Sequence, residues 1–361
     1  MLKSAHENNV YPELIKLLKS NQLCVLATVT KTRGSTPQKS GSSAIFGQTE
    51  LLAGTIGGGV TELRVKDIAQ KVLKLKESCY HSFDLAHDIS DDSEAICGGG
   101  MDILLDSSPE EHTKVFENVI ESLNNRIPGI LVTILKKTGT LIKSTERIWI
   151  TVLNFKKGSS TLKSEIKNKI QEMLQNPVPD DFCTLKIPLE QGNQIVLLET
   201  NAPSPQLIIA GAGHVGKALS HLANLLNFEV TVWDDRKEFA NREHLPDARK
   251  VIHGNLEESL KKIAVDSTTY LVIVTRGHKN DSEVLKAFIN SPAAYIGMIG
   301  SRKKVAKVKN MFLEKGWATR DQWDGIYAPV GLDIHSKTVQ EIAVSIAAQL
   351  IMVRNQKSRI K

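Results

Sequence analysis

The chain has 361 residues, 46 Lys and Arg against 40 Asp and Glu, a formal net charge of +6, and 41% hydrophobic and 24% charged residues. This is the composition of an ordinary soluble globular protein, too long for one typical core, and it suits two domains of moderate size. The start, MLKSAHENNVYPELIKLL, lacks the basic, apolar and small-residue pattern of a secretory signal. The longest nearly apolar run, residues 342–353, falls far short of the roughly 20 residues of a spanning helix, so a cytoplasmic protein with no membrane partner is expected.

In chain order, residues 9–20 read as a helix, 23–31 and 43–46 as strands, and 60–76 as an amphipathic helix. Further strands fit 80–85, 101–105, 129–136 and 147–153, and a lysine-rich helix fits 162–174 before NPVPDD and two more strand-like runs. Three loops carry whatever chemistry this half holds. TRGSTP (residues 32–37) combines Arg33, Ser35 and Thr36 with a glycine, a set suited to phosphate or another oxyanion, although alone it is only a turn. GTIGGGVTE (residues 54–62) places Gly57, Gly58 and Gly59 before a helix. Backbone there can approach a ligand and cradle an anion, and a tight strand-to-helix turn explains the glycines equally well. ICGGG (residues 96–100) sets Cys97 beside glycines, where a thiol can become a thiolate nucleophile or soft ligand, the inert reading being the usual one for an isolated cysteine. Cys24 and Cys183 read as small buried hydrophobes, Cys79 is ambiguous, and without a CxxC pair neither zinc nor a disulfide framework is indicated.

ETNAPSPQ (residues 199–206) reads as a linker and divides the chain into domains 1–200 and 201–361. Beyond it, LIIAGAGHVGKALSHLANLLNFEVTVWDDR (residues 207–236) outlines a dinucleotide-binding βαβ unit. Gly211, Gly213 and Gly216 have the GxGxxG spacing, and Asp234, with Asp235 as alternate, stands where an acid accepts from ribose hydroxyls. A Rossmann-like domain whose site is empty or repurposed remains open as the other reading. The basic patch after Ser301, beginning at Arg302, is a solvated helix face, or an N-terminal turn that helps hold an anion. No nucleic-acid partner is expected, because no aromatic residues interleave with the lysines.

Taken together, the loops TRGSTP with Gly41, GTIGGGVTE and ICGGGMDILL, followed by IIAGAGHVGKAL, VTVWDDR, VIVTRGHKNDSEVL, YIGMIGSRKK and APVGLDI with EIAVSIAAQLI, resemble the XdhC/CoxI family of accessory proteins for molybdenum hydroxylases. The resemblance covers all but about residues 136–198. It implies an α/β fold, an N-terminal α/β domain joined to a C-terminal Rossmann-like parallel-sheet domain, usually as a homodimer. It implies a maturation factor rather than a metabolic enzyme. Such a protein binds the molybdenum cofactor (molybdopterin), protects it while a cysteine desulfurase helps install its sulfido ligand, and passes it to a xanthine dehydrogenase-type apoenzyme.

On this resemblance Cys97 is the sulfur-handling residue or molybdenum ligand, and Gly98 and Gly99 let the cofactor approach. Gly57, Gly58 and Gly59 donate backbone hydrogen bonds, Arg33, Ser35 and Thr36 hold an oxyanion, and Glu62 orients a polar group or caps the following helix. Gly211, Gly213, His214, Gly216 and Asp234 form the second domain's crevice, bordered by Arg276, His278 and Asp281 of TRGHKND. After GLDI the chain reads His335 and Ser336, with Val339 and Gln340 later, where the family has a small residue and a Pro-Glu pair; Thr338 still offers a helix cap. Two rival readings are an NAD(P)-dependent oxidoreductase, for which no hydride-chemistry acid or base is identified, and a nucleotide-sensing regulatory protein.

Overall fold

The computed structural model describes residues 9–84, 99–175, 181–188, 193–260 and 263–356. Among the described residues one compact unit ends at Pro203 and a second begins at Ser204. The first contains α1 (Tyr11–Lys19), β1 (Val25–Arg33), β2 (Ser43–Phe46), β3 (Leu51–Gly54), α2 (Gly59–Leu75), β4 (Cys79–Asp84), β5 (Gly100–Asp106), α3 (Thr113–Asn124), β6 (Gly129–Thr138), β7 (Leu141–Thr151), the single turn α4 (Phe155–Gly158), α5 (Ser164–Gln175), β8 (Phe182–Pro188) and β9 (Asn193–Asn201).

Its strands form a nine-stranded sheet in the order β3-β2-β1-β5-β4-β7-β6-β9-β8, and the neighbouring pairs are antiparallel. Period-two alternation sends β1 side chains to opposite faces. Val25, Ala27 and Val29 meet Val65, Ala69 and Val72 of α2, while Leu26 meets α1 and α3 through Leu14, Phe116 and Val119. The α2 contacts recur at helical spacing, and each buried valine there contributes about 1.5–3 kcal/mol relative to exposure. In the same way Ile166, Ile170 and Met173 of α5 pack against Ile130, Val132 and Val196. The sheet also rolls: the Thr184 hydroxyl of the last strand donates to the Thr30 carbonyl of β1 at 2.6 Å.

The second unit contains β10 (Gln206–Ala210), α6 (His214–Leu225), β11 (Glu229–Asp234), β12 (Lys250–His253), α7 (Leu256–Leu260), β13 (Thr269–Ile273), α8 (His278–Phe288), β14 (Tyr295–Met298), α9 (Arg302–Glu314), α10 (Arg320–Asp324) and α11 (Val339–Gln356). Its five strands run β12-β11-β10-β13-β14, all parallel. They are near-continuous apolar runs because both faces are covered. Leu207, Ile209 and Val232 face α6 and α11 through Leu219, Ala223 and Ile346, whereas Ile208, Leu271 and Ile273 face α8 and α9 through Val284, Leu285 and Val308. The chain reverses direction of winding between β10 and β13, the switch point where ligands of open α/β sheets collect. Among the described residues no helix is long and apolar enough to cross a membrane.

Candidate functional site

In the first unit, β1 ends at Arg33, directly opposite Gly100 at the start of β5. The three loops singled out in the sequence meet there. A Cβ on Gly99 would lie 2.3 Å from the Arg33 carbonyl oxygen and 2.4 Å from that of Ser35, so only glycine lets these segments touch. Gly57, at φ 128°, lies so close to Pro37 that a Cβ would stand 2.5 Å from its Cγ. The TRGSTP loop is thus held between the glycine turn and the start of β5. Cys97 and Gly98 lie outside the described residues.

Arg33 keeps its side chain 47% exposed while Nη1 donates to Oδ1 of Asp102 at 2.9 Å, and Asp102 is only 12% exposed. One edge of the guanidinium is therefore braced against a carboxylate, and its Nη2 and Nε lie against Gly100. Asp102 escaped the sequence reading. Its signal was an acid inside GMDILLD, a strand otherwise apolar until its end and buried at every position. Beside it, the Thr30 hydroxyl and the Tyr80 phenol are 2.6 Å apart, and burial pushes the Tyr80 hydroxyl up. Ser35 is exposed, and the Thr36 hydroxyl donates to the Gln38 carbonyl at 2.9 Å.

The turn at Gly57, Gly58 and Gly59 is already filled by a carboxylate of the chain itself. Oε2 of Glu62 accepts from the Thr55 hydroxyl at 2.9 Å, the Gly58 amide at 3.3 Å and the Ile56 amide at 3.4 Å, and the Gly57 amide donates to the Thr55 hydroxyl at 3.1 Å. Glu62 is therefore a cap on the first turn of α2, an acid meeting the positive end of the helix. Nothing stands within 4 Å of where a Cβ on Gly58 or Gly59 would project, so that side of the turn is open. Cys24 and Cys79 are poor nucleophiles: burial, then the nearby Glu110 and Asp106, push Cys24 up to about 11, and burial raises Cys79.

In the second unit the glycine fingerprint has the geometry its spacing predicts. A Cβ on Gly216 would fall 1.9 Å from the Gly211 carbonyl oxygen, and one on Gly211 would fall 2.4 Å from that of Val274, so the β10 and β13 loops touch at the switch point. Gly213 caps α6 with nothing within 4 Å of its missing Cβ, and His214 follows it, exposed. Asp234 is 3% exposed. It accepts from the Ala212 amide at 2.7 Å, the Arg236 amide at 3.0 Å, and Arg236 Nε and Nη2 at 2.9 Å each. Burial opposes its charge, but the hydrogen bonds from Arg236 and Ala212 outweigh burial and hold the carboxyl below the usual range. His244, which the sequence did not single out, donates from Nε2 to the Ala212 carbonyl at 2.9 Å, so Ala212 is clamped on both sides. The freer acid is Asp235, 53% exposed, which accepts from the Asn280 amide at 3.3 Å.

The loop after β13 carries Arg276 outward, exposed. Asp281 turns inward and is fully buried, accepting from the Thr275 hydroxyl at 2.5 Å and pairing with the Lys304 ammonium. That carboxylate joins the first turn of α8 to that of α9. His278 opens α8 and its side chain lies outside the described residues. Ser301 caps α9, its hydroxyl accepting from the Lys304 amide, and Arg302 beside it is exposed. At the C-terminal helix the Glu341 carboxylate takes the Thr338 amide at 2.9 Å, and the Thr338 hydroxyl takes the Glu341 amide at 3.2 Å. Among the described residues no group of three or more His, Cys, Asp or Glu side chains is placed to hold a metal ion.

The fold and its loops define a two-domain protein that joins a rolled antiparallel sheet to a Rossmann-like domain. Residues 207–350 match the XdhC Rossmann domain and residues 17–84 match the XdhC and CoxI family. The chain belongs to the XdhC/CoxI family, related to xanthine dehydrogenase accessory factors. It is 25% identical over 353 residues to a probable xanthine dehydrogenase subunit of Bacillus subtilis (strain 168), covering 96% of this chain and 98% of that one. It is 32% identical over 165 residues, 45% of this chain, to the uncharacterized protein YqeB of Escherichia coli (strain K12), of whose length it spans 30%. A crystal structure described as a xanthine dehydrogenase from Bacillus halodurans superposes with a TM-score of 0.74 at 23% identity over 97% of both chains, a likeness of fold.

Proposed function

We propose that this chain is a maturation factor that binds the molybdenum cofactor in its first domain, holds it during sulfuration, and delivers it to a xanthine dehydrogenase-type hydroxylase apoenzyme. The observation that carries the reading is the meeting of the three loops around Arg33, with Gly99 wedged against Arg33 and Ser35 and Gly57 against Pro37. The residues suit an anionic ligand: a half-exposed guanidinium braced by Asp102 and a glycine turn with one open side. When bound, the cofactor would supply the molybdenum centre that a hydroxylase apoenzyme uses. Arg33 holds the phosphate or another oxyanion, the backbone at Gly58 and Gly59 admits close approach, and Glu62 is the group an entering anion displaces. Cys97 carries sulfur or ligates the metal. The partners in this reading are a cysteine desulfurase and the apoenzyme, with the chain acting as a homodimer in the cytoplasm.

A second reading rests on the open face of Gly213 at the cap of α6, which suits a nucleotide, either NAD(P) or a cytidylylated pterin. Asp234 is engaged by four N–H groups, so Asp235 is the acid available to ribose. If this crevice were the whole site, the protein would be an oxidoreductase or a nucleotide sensor.

The test is anaerobic purification with cofactor, read by bound molybdenum and pterin fluorescence, with NADH titrated separately. The expected result is stoichiometric pterin that is lost in Arg33→Met and Cys97→Ala variants of unchanged fold. No pterin, together with tight NADH binding, would replace the proposal with the nucleotide reading.

A further inference from the structure

Away from the Arg33 loops and the glycine fingerprint, residues of α8 and α9 line a cleft of about 770 Å³ in the second unit. The exposed Lys303 and Lys307 of α9 form one wall, and Glu283 and Lys286 of α8 form the other. Val308 and Met311 make an apolar floor, and the half-buried Trp317 closes the end beyond α9. Trp317 is fixed edge-on to Phe312, centroids 5.4 Å apart at 87°.

The charges of this cleft are unbalanced. Lys304 is neutralised by the buried Asp281 beneath it. Lys303 and Lys307 make no hydrogen bond or ion pair among the described residues, and Glu283 is the acid of the lining. Lys286 and Lys315 hold their ammonium groups 4.1 and 4.6 Å from the Trp317 ring centroid, which orders two more positive heads at the closed end.

We propose that this cleft docks an acidic amphipathic helix of a protein partner. Its wall follows the chain from Ser301 to Met311, a length of roughly 15 Å or about three helical turns. An apolar stripe at i, i+3 and i+4 would sit on Val308, Met311 and Trp317, the adaptable and aromatic side chains that anchor interfaces. Carboxylates flanking that stripe would meet Lys286, Lys303 and Lys307, with heads already ordered on Trp317 lowering the cost of fixing them. A phosphate backbone would answer the charges and leave the floor uncovered. An uncharged apolar helix would cover the floor and leave the lysines unanswered. The inference concerns a surface distinct from the cofactor reading and does not depend on it.

The experiment is a display selection of random short peptides against the immobilised full-length chain at physiological salt, followed by affinity measurements on the purified winners. No cofactor enters the assay, so its outcome is separate from that of the cofactor test. Enriched sequences are expected to be rich in Asp and Glu with apolar residues at helical spacing, and to bind about tenfold or more weakly to Lys303→Glu/Lys307→Glu and to Trp317→Ala. The lysine pair is exposed, so that variant retains the fold should Trp317→Ala disturb it. Lack of convergence, or winners indifferent to the lysine variant, would overturn the proposal. So would full competition by heparin with no loss in a folded Trp317→Ala, which would make the cleft a general polyanion patch.

Discussion

Replacing Arg147 by Met removes one half of an ion pair sealed inside the first domain. Arg147 Nη1 and Asp106 Oδ2 are 2.6 Å apart, each side chain is 3% exposed, and the guanidinium lies 5.3 Å over the Phe116 ring. Breaking such a pair typically costs about 3–5 kcal/mol because the surviving charge stays buried. Asp106 retains the Ser108 amide at 3.0 Å and the Ser78 hydroxyl at 3.3 Å as donors, which places the expected loss near the lower bound, about 3 kcal/mol at neutral pH. The pH dependence separates this cause from lost packing. In the native protein burial raises the Asp106 pKa, but Arg147 and the hydrogen bonds outweigh it and bring it below 3.8. The stability it contributes is present above 3.8 and disappears as pH falls through the lower folded value. Without Arg147 burial dominates and the folded pKa rises, so protonation relieves the variant as pH falls toward 3.8. The gap between the two proteins therefore narrows in acid. The assay is urea unfolding across pH, followed by Trp149 fluorescence after the second domain's Trp233, Trp317 and Trp323 are changed to Phe. A gap under about 1 kcal/mol, or one constant from neutral pH to the acid limb, would show that no unpaired buried charge is left at Asp106.

Other outcomes follow from single contacts. Burial, then Arg147, lowers the pKa of His112 from 6.5, so the unfolded chain takes up a proton the folded one resists; stability should fall as pH drops below 6.5, and His112→Gln should flatten that slope in urea titrations. Gly216→Ala drives a Cβ to 1.9 Å from the Gly211 carbonyl; a loss of about 1–3 kcal/mol is expected in the second domain, and an unchanged melting transition of that domain would be inconsistent with the contact. Glu62→Ala removes the carboxylate from the Ile56 and Gly58 amides; hydrogen exchange at those amides should speed up, with about 1 kcal/mol lost from the start of α2.

Some of this was legible in the residues alone. The predicted helix at 60–76 and strand at 43–46 appear as Gly59–Leu75 and Ser43–Phe46, because a single amphipathic period or an apolar run marked each. The GxGxxG turn was readable because two of its glycines are forced by backbone atoms a few residues away in sequence or at the next strand. The first half of β7, residues 141–146, was not, since Lys143, Ser144 and Glu146 face solvent and only pairing with β6, and with β4 at Leu141, makes the segment a strand. Helix α3 carries its signal at Phe116, Val119 and Leu123, which the reading passed over. The site was readable as separate loops, but its partners were not. Asp102 reaches Arg33 only through antiparallel pairing of β1 with β5, and the inward turn of Asp281 is decided by Lys304 on another helix. Motif spacing records local backbone needs, whereas these pairings depend on which strand or helix becomes a neighbour.

Glu62 has a bearing on kinetics. Because its carboxylate already occupies the amides at Ile56 and Gly58, an anion bound there as proposed would have to exchange with a competitor tethered four residues away, present at an effective concentration of millimolar order. Such an exchange would lower net affinity and give the leaving anion a successor waiting at the same amides. On the proposed reading the turn would never stand bare, and it would favour quick turnover of its occupant over long residence.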